Sequence, residues 1–150
     1  MPVIKHQIFI KAPIEDCFDL ARNVDVHTKT TGKTKERAVS GVTTGLLEEG
    51  DTVTWEAVHF GVRQKLTARI NKMRRPHHFV DVMVRGAFHS FTHTHTFVET
   101  EGGTVMSDRF EYKAPLGPLG RMADFLFLET YMQKFIEERA HALKVIAEQK

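Results

Sequence analysis

Hydrophobic and polar positions alternate with a period of two through much of the first 112 residues and recur at helical spacing over the last thirty, which predicts a sheet followed by one long helix. Residues 3–11 place Ile4, His6, Ile8 and Ile10 on one face and Lys5, Gln7, Phe9 and Lys11 on the other, as a half-buried strand requires. Ala12-Pro13-Ile14-Glu15-Asp16 then breaks the alternation. Proline suits a first helical turn, and two acids there complement the helix dipole. Ile14, Cys17, Phe18 and Ala21 give this helix its apolar face, and a second short helix is predicted over 25–31, capped by Asp25 and ended near Gly32.

Strands fill the middle. Residues 33–40 suit an exposed, charged strand, and 41–50 carry the Gly and Thr of a connection. Residues 51–60 are rich in Thr, Val, Trp and Phe, and Gly61 marks a turn. Across 62–71, Val62, Gln64, Leu66, Ala68 and Ile70 then alternate with Arg63, Lys65, Thr67, Arg69 and Asn71. Segments 79–85, 89–98 and 105–112 continue the series, separated by Gly86 and by Glu101-Gly102-Gly103, for about seven strands. Beyond Pro118 the period changes: Leu119, Met122, Ala123, Leu126, Met132, Phe135, Ile136, Arg139, Leu143 and Ile146 fall at helical spacing. No Gly or Pro interrupts 121–150, and thirty such residues make a rod of about 45 Å, long enough to cross the sheet.

Composition narrows the function classes. The 150 residues suit one domain, 1–150, and 21 Lys plus Arg against 19 Asp plus Glu leave a formal charge of +2, too weak a field to predict nucleic-acid binding. Arg74-Arg75-Pro76-His77-His78 is basic but short and lacks an aromatic platform. Cys17 is the only cysteine and sits on an apolar helix face, so no intrachain disulfide forms; a core thiol in a reducing, cytoplasmic setting is expected. The first residues lack a signal-peptide layout, no window approaches the roughly 20 apolar residues of a membrane span, and neither a phosphate-binding loop nor a Gly-x-Ser-x-Gly elbow occurs.

The order strand, two short helices, six strands and long terminal helix resembles the α+β helix-grip plan of the START-like, or SRPBCC, superfamily, which includes Bet v 1-like plant proteins, lipid-transfer START domains and polyketide cyclases. Ala12-Pro13-Ile14-Glu15-Asp16-Cys17-Phe18-Asp19-Leu20 looks like that superfamily's strand-to-helix junction. Thr54-Trp55-Glu56-Ala57-Val58-His59-Phe60-Gly61, Arg75-Pro76, Phe79-Val80-Asp81 and Ala114-Pro115-Leu116-Gly117-Pro118-Leu119-Gly120 resemble its bacterial cyclase/dehydrase-like, ligand-binding subgroup. The resemblance implies a curved sheet wrapped around the terminal helix and a cavity between them for a small hydrophobic, lipid-like, aromatic or polyketide-like molecule. The alternatives are a cyclase/dehydrase-type enzyme using His and Asp acid–base chemistry, or a protein-interaction module on the outer sheet or the short-helix region; no cofactor is expected, and monomer and homodimer both stay open.

Candidate lining residues are Leu66, Ile70, Phe79, Met83, Phe91, Phe97, Met106 and Phe110 from the sheet, with Met122, Phe125, Leu126 and Met132 from the helix; ordinary core packing is the competing reading. Trp55, His59 and Gln64 join this ligand-binding set. The first two share a strand face, on which Trp55 offers a flat apolar wall with one indole donor. In His89-Ser90-Phe91-Thr92-His93-Thr94-His95-Thr96-Phe97 the two phenylalanines mark the buried face, which turns His93 and His95 inward unless a bulge intervenes. Asp81 and Asp108 alternate in phase on neighbouring strands, so the four can meet on one concave surface. That set fits a satisfied structural network, a polar anchor for a ligand carbonyl or hydroxyl, general acid/base catalysis, or a metal site; no metal is expected, because His-x-His lacks a third ligand of known position. Arg85, in phase with Asp81, reaches either a buried acid or water. His27 with Lys29, Lys33, Lys35 and Arg37 forms either a cavity mouth or a solvated face.

Overall fold

The computed structural model describes residues 2–114 and 127–149. β1 (Val3–Ile10) leads into α1 (Ile14–Ala21) and α2 (Val24–Thr30), and then β2 (Arg37–Gly41), β3 (Thr52–His59), β4 (Val62–Arg74), β5 (His78–Arg85), β6 (Ser90–Thr100) and β7 (Gly103–Lys113) follow before α3 (Glu129–Glu148). All neighbours pair antiparallel in the order β1-β7-β6-β5-β4-β3-β2, so the first strand closes one edge beside the last, and the helical insertion sits between the two edge strands. This is the predicted seven-stranded curved sheet with its terminal helix.

The alternation predicted for β1 holds, with Ile4 and Ile10 buried and Lys5, Gln7 and Phe9 outward. α1 begins after Pro13, whose extended backbone serves as its N-cap, and buries Ile14, Cys17, Phe18 and Ala21 as expected. Cys17 is a buried thiol, its Sγ directed to the Ala12 carbonyl, and burial raises its pKa, so the core reading stands.

Several boundaries differ from expectation. α2 is capped by Asn23, which accepts from the Val26 amide at 3.1 Å, and not by Asp25. The Asp25 carboxylate is instead taken by Thr44 Oγ1 at 2.9 Å and the Gly45 amide at 3.1 Å, tying α2 to the connection before β3. Residues 33 and 34 are not strand but lie in a 3-10 turn, Gly32–Thr34, so β2 starts only at Arg37. The turn joining β3 to β4 has positive φ at both centres, 53° at Phe60 and 73° at Gly61, so Phe60 occupies a conformation that usually favours glycine. Residues 121–126, predicted as part of the terminal helix, and the 115–120 motif lie outside the described residues.

Two apolar clusters form the interior. One centres on Phe18, whose ring meets Phe79 and Phe97 edge-on with centroids 5.4 and 5.3 Å apart, and binds α1 and α2 to the sheet. The other joins Ile4, Phe91, Phe110 and Tyr112 to Met132 and Ile136 of α3. No helix among the described residues is long and apolar enough to cross a membrane.

Candidate functional site

A cavity of about 330 Å³ lies between the concave face of the sheet and α3, with walls from both clusters. Trp55, Leu66, Ala68, Ile70, Phe79, Phe91, Met106 and Phe110 supply the sheet side, and Tyr131, Met132, Phe135, Ile136 and Leu143 supply the helix side. Two small residues, Ala57 and Ala68, leave room where larger side chains would fill it. His59 and Phe60 stand at the hairpin end. His59 Nδ1 lies 2.6 Å from the Tyr131 hydroxyl, and the Phe60 ring, 65% exposed as a residue, packs on Tyr131 at 4.5 Å. Arg22 lines the same cavity, held by Asp19, by the Leu47 carbonyl at 3.1 Å and by Glu48.

β5, β6 and β7 bring the four predicted polar residues together. Asp81 faces His93 across β5–β6, and His95 faces Asp108 across β6–β7. The shortest bonds nevertheless run diagonally: His95 Nε2 to Asp81 Oδ1 and His93 Nε2 to Asp108 Oδ1, each 2.8 Å. Diagonal neighbours stay within reach of long side chains on a sheet face. His95 Nδ1 also lies 3.3 Å from Asp108 Oδ1. The two imidazoles stack at 3.8 Å, and Phe79 covers the far face of His95 at 4.1 Å.

These distances set the protonation states. Burial pushes the Asp108 carboxyl up, but the bonds and charge of His93 and His95 outweigh it and hold the group well below the usual carboxylate range; Asp81 is lowered likewise by His95. Burial opposes charge on His95, yet the bonds from Asp108 and Asp81 win and raise its pKa. For His93, burial and then the charge on His95 prevail over Asp108, and its pKa falls. The two directions place the first proton that the pair takes up on His95, while His93 in its neutral form donates Nε2–H to Asp108 and keeps its lone pair on Nδ1.

A second polar pair faces the cavity from the insertion: His27, one of whose two readings from sequence placed it at the cavity mouth, and Glu36, which the sequence did not reveal. His27 Nε2 lies 2.8 Å from Glu36 Oε1, Thr34 donates to Glu36 Oε2 at 3.0 Å, and the His27 ring stacks on Trp55 at 4.0 Å. Glu36, read from sequence as part of an exposed strand, is 8% exposed. Its neighbours Lys33, Lys35 and Arg37 do face solvent, as does Arg85. Arg75 of the basic cluster is engaged by Asp19 through two bonds of 3.0 and 2.7 Å.

Of the predicted ligand-binding set, Trp55, His59, Gln64, Leu66, Phe79, Asp81, Phe91, His93, His95, Met106, Asp108, Phe110 and Met132 border the cavity. Met83 does not. A bulge in the β4–β5 register and the missing side chain of Gly86 let it fold beside Leu66, against the Phe91–Phe110 cluster. Phe97, also expected to line the cavity, packs behind it against Phe18. Met122, Phe125 and Leu126 lie outside the described residues. Ala57, Phe88, Tyr131 and Arg139 were missed as lining. Arg139 alone had left a signal, as a charged residue in the apolar recurrence of α3.

Asp81, His93 and His95 offer ligand atoms within 4.8 Å of one another, a donor set that zinc accepts. In the present geometry both imidazoles spend their N–H groups on carboxylates, which a metal would have to replace.

The family described as polyketide cyclase / dehydrase and lipid transport matches residues 1–148. No curated protein matches. Among solved structures, Thermus thermophilus TTHA0849 superposes with a TM-score of 0.78 at 18% identity, covering 95% of this chain and 94% of that one. A START superfamily protein from Mycobacterium smegmatis gives 0.75 at 11%, covering 98% and 97%. The di-domain ARO/CYC StfQ from the steffimycin biosynthetic pathway gives 0.75 at 11%, covering 98% of this chain and 51% of that one. At such identities the likeness is one of fold, the START and Bet v 1-like helix grip.

Proposed function

The chain belongs to the polyketide cyclase/dehydrase and lipid transport family, and from that premise we propose that it binds a small, mostly apolar molecule in the cavity between sheet and α3. The observation that carries the reading is the wall itself: aromatic and aliphatic side chains from Trp55 to Met132 enclose the space, and a few polar groups converge on it. Small-molecule sites commonly have this form, with apolar area supplying affinity and placed polar atoms supplying orientation. A lipid-like, aromatic or polyketide-like body suits such walls. Native mass spectrometry of the protein purified without extraction tests the reading. A recurrent apolar species released on denaturation is expected. A protein that carries none, and that fails to enhance the fluorescence of N-phenyl-1-naphthylamine, would overturn it.

The stacked histidines favour a second reading, acid–base chemistry on a bound β-hydroxy carbonyl compound. His93 Nδ1, unprotonated, takes the proton from the carbon beside the carbonyl. It then returns that proton to the departing hydroxyl, so that a C–H and a C–O bond break, a carbon–carbon double bond forms and water leaves. His95, clamped as an imidazolium, would favour the negative charge developing on the carbonyl oxygen. Loss of one water from a co-purified ligand with the wild type, but not with His93→Gln, is the expected mark of catalysis. Identical ligand masses in both would leave binding alone.

A further inference from the structure

Arg139 is the only charged residue among those that α3 contributes to the cavity, flanked by Phe135, Ile136, Ala140 and Leu143. Its Nη2 reaches the Ala21 carbonyl at 3.4 Å, whereas Nε is buried without a hydrogen-bond partner. The acids that share the cavity are already engaged. Glu36 is held by His27 and Thr34, Asp81 by His95, and Asp108 by both histidines, and among the described residues no carboxylate forms an ion pair with Arg139. Arg139 is half-buried, and a guanidinium cannot shed its charge at ordinary pH, so its buried Nε stays short of an acceptor in a way that a lysine or a carboxyl would avoid by changing protonation state. Its planar fork matches a carboxylate, which accepts two parallel N–H bonds.

We propose that Arg139 receives the carboxylate of an amphipathic acid, and so selects acidic over neutral occupants of the cavity. The inference rests on the binding reading above and names its ligand class. The apolar body would lie along Trp55, Phe79 and Phe91, with the acidic end towards α3 at the turn of Arg139, next to the His27–Glu36 pair. Arg139 acts electrostatically on both members of that pair, but the Glu36 oxygens are already spent on His27 and Thr34 and give its fork no bond.

The test uses the whole chain, N-phenyl-1-naphthylamine as a neutral reporter, and two competitors of equal length, dodecanoate and dodecan-1-ol. Wild type is expected to bind dodecanoate about tenfold more tightly than the alcohol, the scale of one charge-assisted bond. Arg139→Met is expected to erase that preference, read within the variant as the ratio of its affinities for the two competitors. Arg139→Gln, which keeps a polar amide donor but neither the charge nor the planar fork, should behave in the same way and carries the test if the methionine variant melts early. Equal affinities for acid and alcohol in the wild type, or a preference unchanged in the variants, would overturn the role of Arg139 while reporter binding upholds the cavity. Failure of the reporter to bind the wild type at all would sink the binding reading and this inference with it.

Discussion

Asp108 Oδ1 lies 3.3 Å from His95 Nδ1, and this contact turns His95 from a simple partner of Asp81 into a ring with a carboxylate at each nitrogen, which favours its protonated form. The same oxygen takes the Nε2–H of His93 at 2.8 Å, so one buried carboxylate, 6% exposed, organises both rings. The asymmetry between two adjacent histidines follows from this arrangement.

Their titrations should separate. His95 is expected to titrate above the ordinary histidine value of about 6.5 and His93 below it. Long-range ¹H–¹⁵N spectra of the imidazoles read both midpoints. Replacing His95 by Gln removes the charge that depresses His93, so the His93 midpoint should rise; a midpoint that stays put would deny the coupling.

Asp108→Asn should destabilise the fold by about 3 kcal/mol near neutral pH, the low end for breaking a buried ion pair, because the amide still accepts one bond. The carboxyl is lowered in the folded state, so its contribution is full above its unfolded value near 4 and is lost progressively as pH falls from there through the lower folded value. His95 is raised, so its contribution is full below about 6.5 and fades as pH rises through its folded value. Urea denaturation should therefore show the largest gap between wild type and variant at about pH 5 to 6, narrowing towards pH 3. A gap that does not vary with pH would point to packing instead of charge.

How much of this was legible depended on the range of the interaction. Period-two alternation located β1, β4 and the inward faces of β5 to β7, because a half-buried strand has no other way to arrange Phe91, His93, His95 and Phe97. The cap of α2 was misplaced by two residues because Asp25, a good capping type, is drawn away by Thr44 and Gly45, 19 and 20 positions on. Glu36 looked exposed within a charged run, since nothing local shows that His27 and Thr34 will cover it. Met83 kept the correct phase and still left the cavity wall, as a bulge and one glycine redirected it. Local patterns set the faces of elements, and tertiary partners decide which residue on a face meets open space.

Cavity volume offers a test independent of charge. Ala68 is buried and borders the cavity between Leu66 and Ile70, so Ala68→Phe would project a ring into it. A large residue introduced into available space needs less rearrangement than one forced into a packed core, where overpacking typically costs about 1–3 kcal/mol. The expected result is at least a tenfold loss of N-phenyl-1-naphthylamine binding with a melting temperature within a few degrees of wild type. Undiminished binding in a folded variant would move the reporter's site elsewhere.

Trp55 supplies the last probe, because it is the only tryptophan and His27 stacks on it at 4.0 Å. Burial, and then the charge of Arg139, depress the His27 pKa against the pull of Glu36, so the ring is neutral at pH 7. A protonated imidazole in van der Waals contact quenches an indole, whereas a neutral one does so weakly. Trp55 emission should therefore hold steady down to about pH 6.5 and fall only at lower pH, as the stabilisation conferred by a depressed histidine is also lost. His27→Gln should flatten that step. Arg139→Gln should move it to higher pH, because the cation that opposes protonation is gone. Dodecanoate should move it the same way if its carboxylate neutralises Arg139, and dodecan-1-ol should not. A midpoint above the ordinary histidine value in the ligand-free protein, or one indifferent to Arg139, would contradict the arrangement of these residues around the cavity.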